Sequence, residues 1–242
     1  MSEFSQSKFA ARLQNIVSRR REESGLYREI AEKLPLKETD RVLDIGTGTG
    51  LQLRAIHKIQ PATALFGLDL SEEAINEAKA ALGSLPVDLR VGSVAAAPYE
   101  DDFFGLITCH SSMSYWDNPL VCFNEIHRIL KPGGKVYLFE PHQDIDIKAA
   151  LDQIRENMAD KSALRRWGAV QLNKFALKRG SRLGLNLYSR EELSELVRKS
   201  TFGENGSVER TSLLHIPIFV CIHLWKPENL FRNKLWKEQS DD

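Results

Sequence analysis

Between residues 41 and 139, apolar runs of strand length alternate with stretches whose apolar positions recur at helical spacing. The strand-length runs are Arg41–Ile45, Ala64–Leu68, Asp88–Val91, Phe104–Cys109 and Lys135–Phe139. Helices are predicted between them at Leu51–Ile59, Glu72–Leu82 and Pro119–Leu130. Ser71 is a good N-cap for the second helix, with Glu72 and Glu73 in its first turn, where the helix dipole favours carboxylates. Lys131-Pro132-Gly133-Gly134 predicts a turn ahead of the fifth strand, because proline cannot continue a helix and the glycine pair tolerates φ > 0. Strand–helix alternation of this kind predicts an α/β fold, a parallel doubly wound sheet.

Two regions fall outside that rhythm. Residues 1–34 read as a helical N-terminal cap, with Phe4, Phe9, Leu13, Ile16 and Val17 forming a rough apolar stripe beside the basic cluster Arg19-Arg20-Arg21. The remaining residues, 35–242, read as one domain. Within it, Gln143–Leu187 separates the fifth strand from a last helix at Ser189–Ser200 and is too long for a plain connection, so a helical lid insert over 143–187 is expected. From Lys161 to Leu187 the basic residues are Lys161, Arg165, Arg166, Lys174, Lys178, Arg179 and Arg182, with no acidic one. Such a run serves either a lid that recognises an anionic small molecule or a solvated helix face. Two final strands are expected at Ser207–Leu214 and Ile218–Trp225, joined at His215-Ile216-Pro217.

Composition narrows the partners. Lys plus Arg and Asp plus Glu each number 33, so no global field draws the protein to nucleic acid or a membrane, and a charged partner must be read by a local patch. Cys109, Cys122 and Cys221 are widely spaced in apolar surroundings, which suits reduced thiols and argues against a disulfide framework or a metal site. No apolar run reaches the ~18 residues of a membrane span, and the N-terminus lacks the apolar core of a signal peptide. A cytoplasmic location is the expectation.

The chemistry concentrates at Val42-Leu43-Asp44-Ile45-Gly46-Thr47-Gly48-Thr49-Gly50. Glycines at every second position after a strand indicate a loop shaped around a ligand, since glycine tolerates φ > 0 and lets another group approach the main chain. In doubly wound sheets the first strand-to-helix loop lies beside the ligand crevice. The nicotinamide-dinucleotide fingerprint GxGxxG is the rival reading, but Leu51 stands where its third glycine would be.

Four segments together resemble the class I S-adenosylmethionine-dependent methyltransferases. Asp44–Gly50 is similar to that family's D/E-x-G-x-G-x-G loop, and Gly67-Leu68-Asp69-Leu70-Ser71 to its second-strand end. Gly92-Ser93-Val94 stands where the family has G-D/N-A. Glu125-Ile126-His127-Arg128-Ile129-Leu130-Lys131-Pro132-Gly133-Gly134 resembles the E-x-x-R-x-L-K-P-G-G segment of the ubiquinone and menaquinone biosynthesis type. The likeness spans roughly residues 40 to 141. It implies a Rossmann-like sheet of seven strands with helices on both faces and the last strand antiparallel, and S-adenosylmethionine as cofactor.

It also implies a set of cofactor-binding residues: Asp44, Gly46, Thr47, Gly48, Gly50, Asp69, Leu70, Gly92, Ser93, Val94, His110 and Ser111. Among these, Asp69 holds the ribose and Asp44 lies near the cofactor amino group. Asp69 follows Gly50 by about one helix plus one strand, the separation seen in dinucleotide folds. Ser93 replaces the usual adenine-binding Asp or Asn, so adenine recognition falls to Ser93 through water, or to Glu100 or Asp101. After the fourth strand, His110 is either a general base or a packing residue, and Tyr115 and Trp116 either wall the sulfonium or fill an interface. His110, Tyr115 and His142 are candidates for catalysis, with none nominated, because an activated sulfonium needs alignment more than acid–base help. The expected function is methyl transfer to a small molecule, possibly an anionic one. The alternatives are a tRNA or other nucleic-acid methyltransferase and a non-catalytic S-adenosylmethionine-binding protein. The oligomeric state stays open, a homodimer included.

Overall fold

Every residue of the strand Phe104–His110 is buried, as is Val42–Ile45 of the strand beside it, because both lie mid-sheet with helices on each face. The computed structural model describes residues 25–179 and 186–228, with the backbone alone at 172, 173 and 175–179. In chain order the elements are α1 (Leu26–Lys33), β1 (Arg41–Ile45), α2 (Leu51–Ile59), β2 (Ala64–Asp69), α3 (Glu72–Leu82), β3 (Val87–Val91), β4 (Phe104–His110) and α4 (Pro119–Ile129). There follow β5 (Leu130–Pro141), α5 (Ile147–Asn157), α6 (Ala163–Arg179), α7 (Arg190–Lys199), β6 (Gly206–Leu213) and β7 (Ile216–Trp225). They form a seven-stranded sheet of order β3-β2-β1-β4-β5-β7-β6. The pairings among β1 to β5 are parallel, and β7 runs antiparallel to both its neighbours.

Local chemistry explains the helix starts. The Ser71 hydroxyl accepts from the Ala74 N–H at 3.2 Å, Asn118 caps α4 with Pro119 at its first position, and Ser189 with Glu192 closes a capping box on α7. One core cluster lies under α4 and α7 around Phe104, Phe123 and Ile126, and the other under α1 and α2 around Ile30, Leu53 and Ile56. The insert between β5 and α7 carries α5 and α6. The N-terminal stripe from Phe4 to Val17 and the Arg19–Arg21 cluster lie outside the described residues.

Two expected turns are strand instead. Leu130 pairs with Phe104 and Lys135 with Leu106, so Lys131–Gly134 is absorbed as an irregularity within β5, with Gly133 at φ 76°. The C-terminal end of β7 holds it: the Gly133 N–H donates to the Lys226 carbonyl and the Lys226 N–H to the Gly134 carbonyl. In the last hairpin the turn is Leu214-His215, both at positive φ, and Ile216-Pro217 already belongs to β7. Pro217 is tolerated because the β6–β7 register shifts there, Leu213 facing Ile216 and Thr211 facing Phe219. The hairpin turn is tied down at both sides: the Leu214 N–H donates to Glu29 of α1 at 2.6 Å, and Asn157 of α5 donates to the Leu214 carbonyl at 2.7 Å.

Candidate functional site

Strand order reverses between β1 and β4, and the crevice outside their carboxyl ends is where open α/β sheets bind ligands. The loop Gly46–Gly50 fills that position. Gly46, Gly48 and Gly50 take φ of 67°, 54° and 72°, the left-handed region. The N–H groups of Gly46 and Thr47 both donate to the Leu68 carbonyl, which fastens the loop to the end of β2. A Cβ at Gly46 would lie 2.2 Å from Ser112 Oγ, and one at Gly50 would lie 2.8 Å from Leu82 Cδ1 of α3. The first glycine therefore admits the loop after β4, and the last admits α3 against the start of α2.

Asp69 reaches across this loop. One carboxylate oxygen accepts from the Gly48 N–H at 2.9 Å and the other from the Ser71 N–H at 3.0 Å. Burial raises its pKa against the opposing pull of those N–H groups. Asp44, at the same strand edge, is 3% exposed, and burial, with the nearby Asp69 charge adding to it, pushes its pKa up to about 7. The buried Thr47 hydroxyl sits against the Asp44 carboxyl and opposes part of that rise. The loop thus offers carboxylate acceptors, and the Gly48 N–H that a phosphate would need is already engaged. That set of acceptors fits a ligand with hydroxyl and ammonium groups and disfavours a pyrophosphate.

The raised pKa of Asp44 has a consequence for the ligand-free protein. Below its ordinary value of 3.8 the carboxyl is neutral in both folded and unfolded chains; above it, the unfolded chain ionises first, so stability falls as pH rises towards about 7. Asp44→Asn cannot ionise. It is expected to be more stable than the parent by roughly 2–4 kcal/mol near neutral to alkaline pH, with the gap closing in mild acid. Thermal midpoints of both proteins across that range test this, and parallel pH profiles would contradict it.

A second wall follows β3. The Gly92 N–H donates to the Asp69 carbonyl, Val91 pairs with Asp69 across the sheet, and both Leu70 and Val91 are 50% exposed. Ser93 caps the short 3-10 turn Val94–Ala96, its hydroxyl accepting from the Ala95 N–H at 3.2 Å. Asp101 is held by Arg128 at 2.6 Å, whereas Glu100 is exposed. Arg128 also donates to the Ala97 and Tyr99 carbonyls and to Glu125, and Glu125 accepts from the Ala97 N–H. The E-x-x-R pair on α4 is therefore a clamp on the 97–101 loop. Its hydrogen bonds lower the Glu125 pKa and raise that of Arg128.

The third wall is the end of β4. His110 is 9% exposed, edge-on to Tyr27 of α1 with ring centroids 6.1 Å apart, and tilted over Phe219. Ser111 takes φ 54°, its hydroxyl 3.3 Å from His110 Nε2. Trp116 is buried and edge-on to Phe123, the interface-filling option, while Tyr115 is 57% exposed. His142 is buried, which lowers its pKa.

Glu140 was not among the expected site residues. At 3% exposed, its Oε1 accepts from the Ser112 and Met113 N–H groups at 3.0 and 3.2 Å and from the Cys109 thiol at 3.3 Å. It fixes the loop that packs on Gly46, and its charge, together with burial, drives the Cys109 pKa upward. The available signal was an acidic residue ending an apolar strand, VYLFE. Among the described residues no cluster of ligating side chains suits a metal ion, and no helix is long and apolar enough to cross a membrane.

Comparison with known proteins agrees with this geometry. The family profile described as a methyltransferase domain matches residues 43–138. The chain is 29% identical over 110 residues to an uncharacterised methyltransferase of Schizosaccharomyces pombe, covering 42% of this chain and 40% of that protein. It is 31% identical over 140 residues to a demethylmenaquinone methyltransferase of Staphylococcus aureus, covering 57% of each. The match therefore spans about half the length of these relatives. The crystal structure of an S-adenosyl-L-methionine-dependent methyltransferase from Methanococcus maripaludis, named as putative, superposes with a TM-score of 0.60 at 22% identity, covering 95% of this chain and 96% of that one. Glycine loop, paired carboxylates and sheet order agree with those matches: residues 43–138 match the methyltransferase-domain family, and the chain has a Rossmann-like methyltransferase fold.

Proposed function

We propose that this protein transfers a methyl group from S-adenosylmethionine to a small molecule. The observation that carries the reading is the Asp69 carboxylate lying against the Gly48 N–H with buried Asp44 alongside, an acceptor-rich loop with no cradle for phosphate. In this reading Asp69 accepts from the ribose hydroxyls and Asp44 lies near the amino group. Thr47 and the main chain of Gly46, Gly48 and Gly50 border the methionine part. Leu70, Gly92, Ser93 and Val94 face the adenine, and His110 with Ser111 stands beside the methionine part at the end of β4. With the Ser93 hydroxyl already capping and Asp101 paired, Glu100 is the carboxylate left for adenine.

The cofactor supplies a methyl group already activated on a sulfonium. The chain's part is to hold donor and acceptor in line and to exclude water, a contribution of up to ~7–11 kcal/mol in effective-molarity terms. The domain division assigned is a cap over 1–34 and a catalytic domain over 35–242, with the insert 143–187 on the acceptor side. An anionic acceptor fits Arg166, half-buried on the side of α6 that also buries Val170. Zero net charge favours a small molecule over nucleic acid. Calorimetry is expected to give micromolar or tighter binding of S-adenosylhomocysteine and none of NAD. Binding of NAD without S-adenosylhomocysteine would reverse the assignment.

A further inference from the structure

Helix α6 presents an unusual outer face. Leu164 is 78% exposed and Trp167 63% exposed, the two most exposed large apolar residues among the described residues. Three residues apart, they share one side of the helix. At 3.6 residues per turn Arg165 falls to one side of the pair and Lys174 to the other, both exposed, while Val170 is buried on the side facing the fold. Neither Arg165 nor Lys174 has an acidic partner among the described residues. Residues 161–187 contain no Asp or Glu, so this stretch carries only basic charges although the chain as a whole is neutral.

We propose that this face of α6 docks on an anionic lipid bilayer, with Leu164 and Trp167 entering the headgroup–acyl boundary and Arg165 and Lys174 meeting lipid phosphates. An indole is amphipathic and favours that boundary, an aliphatic side chain gains by leaving water below it, and flanking cations are attracted to anionic headgroups. The same four residues suit other macromolecules less well. A nucleic acid would use the cations and stack on the indole but leave Leu164 in water. A protein interface of ordinary composition is depleted of lysine around its apolar centre. With only two apolar anchors the docking is weak and reversible, and it depends on both charge and insertion. It does not rest on the methyl-transfer reading.

Co-sedimentation of the full chain with vesicles tests the assignment, comparing phosphatidylcholine alone with phosphatidylcholine mixed with phosphatidylglycerol. Binding to the mixed vesicles is expected to be at least ~10-fold stronger, to weaken with added salt, and to shift the tryptophan emission to the blue. Two double variants separate the contributions, Leu164→Ser with Trp167→Ser and Arg165→Glu with Lys174→Glu. Each is expected to fold, with an unchanged circular dichroism spectrum, and to lose ~10-fold or more of the binding. No binding of the parent protein to mixed vesicles overturns the proposal. So does binding that neither variant weakens, which would place the contact elsewhere. Binding of a single-stranded RNA that the charge-reversed variant loses, in a protein that ignores vesicles, would reassign the face to nucleic acid.

Discussion

Replacing Asp69 with alanine is expected to weaken S-adenosylhomocysteine binding by ~10-fold or more. Charge-assisted hydrogen bonds to the two ribose hydroxyls are each worth ~1.5–3 kcal/mol, and ~1.4 kcal/mol is tenfold in affinity. The substitution also releases the Gly48 and Ser71 N–H groups, which the carboxylate now holds at 2.9 and 3.0 Å, so the glycine loop keeps only its Gly46 and Thr47 ties to the Leu68 carbonyl at the end of β2. Asp69→Asn keeps an acceptor without the charge and is expected to fall between the two. Calorimetric titration of the three proteins reads this directly. Affinity in Asp69→Ala equal to the parent's would mean that the ribose is held elsewhere.

Gly46→Ala is expected to cost roughly 2–5 kcal/mol of stability. About 1–2 kcal/mol comes from placing a Cβ at φ 67°, and the rest from overlap with Ser112, whose Oγ would lie 2.2 Å away. Ser112 cannot easily retreat, because its N–H is fixed by buried Glu140 at 3.0 Å. Gly25→Ala is the matched control. Gly25 is also left-handed, at φ 82° and ψ 8°, but a Cβ there meets nothing within 4 Å, so only the backbone part of the cost applies. Denaturant unfolding is expected to show Gly46→Ala clearly less stable than Gly25→Ala, and partial recovery when Ser112 is also changed to Gly. Equal stabilities would show that the loop after β4 moves aside freely.

The geometry of the glycine loop was mostly readable in advance, because its parts are short segments with local chemistry. Gly46, Gly48 and Gly50 announce a backbone that must turn left-handed three times, and all three do. Asp69 ends an apolar run and precedes a capping serine, and the structure brings it onto Gly48, 21 residues back. The surroundings of the β4 end were less readable. Tyr27, His110 and Phe219 are far apart in sequence and meet only because α1, β4 and β7 pack together. Arg128 stood out within a motif, yet its job as a clamp on the 97–101 loop becomes visible only when α4 is laid against that loop.

What the sequence by itself determined is the set of elements whose causes are local. Apolar runs set β1 to β4, and caps at Ser71, Asn118 and Ser189 set the starts of α3, α4 and α7 within a residue. The tertiary structure alone decided where local signals compete with distant partners. Lys131–Gly134 has the composition of a turn, but the Gly133 N–H and Gly134 carbonyl find Lys226, and the segment stays in β5. Pro217 looks like a turn residue, but a register shift removes the hydrogen bond it cannot make, and the two residues before Ile216 take the turn. Glu140 is one more residue in an apolar strand until burial beside Ser112 and Met113 makes its carboxylate the acceptor for two otherwise unpaired N–H groups. In each case the outcome turns on which backbone groups find hydrogen-bond partners, and those partners are chosen by strand order and not by neighbours in the chain.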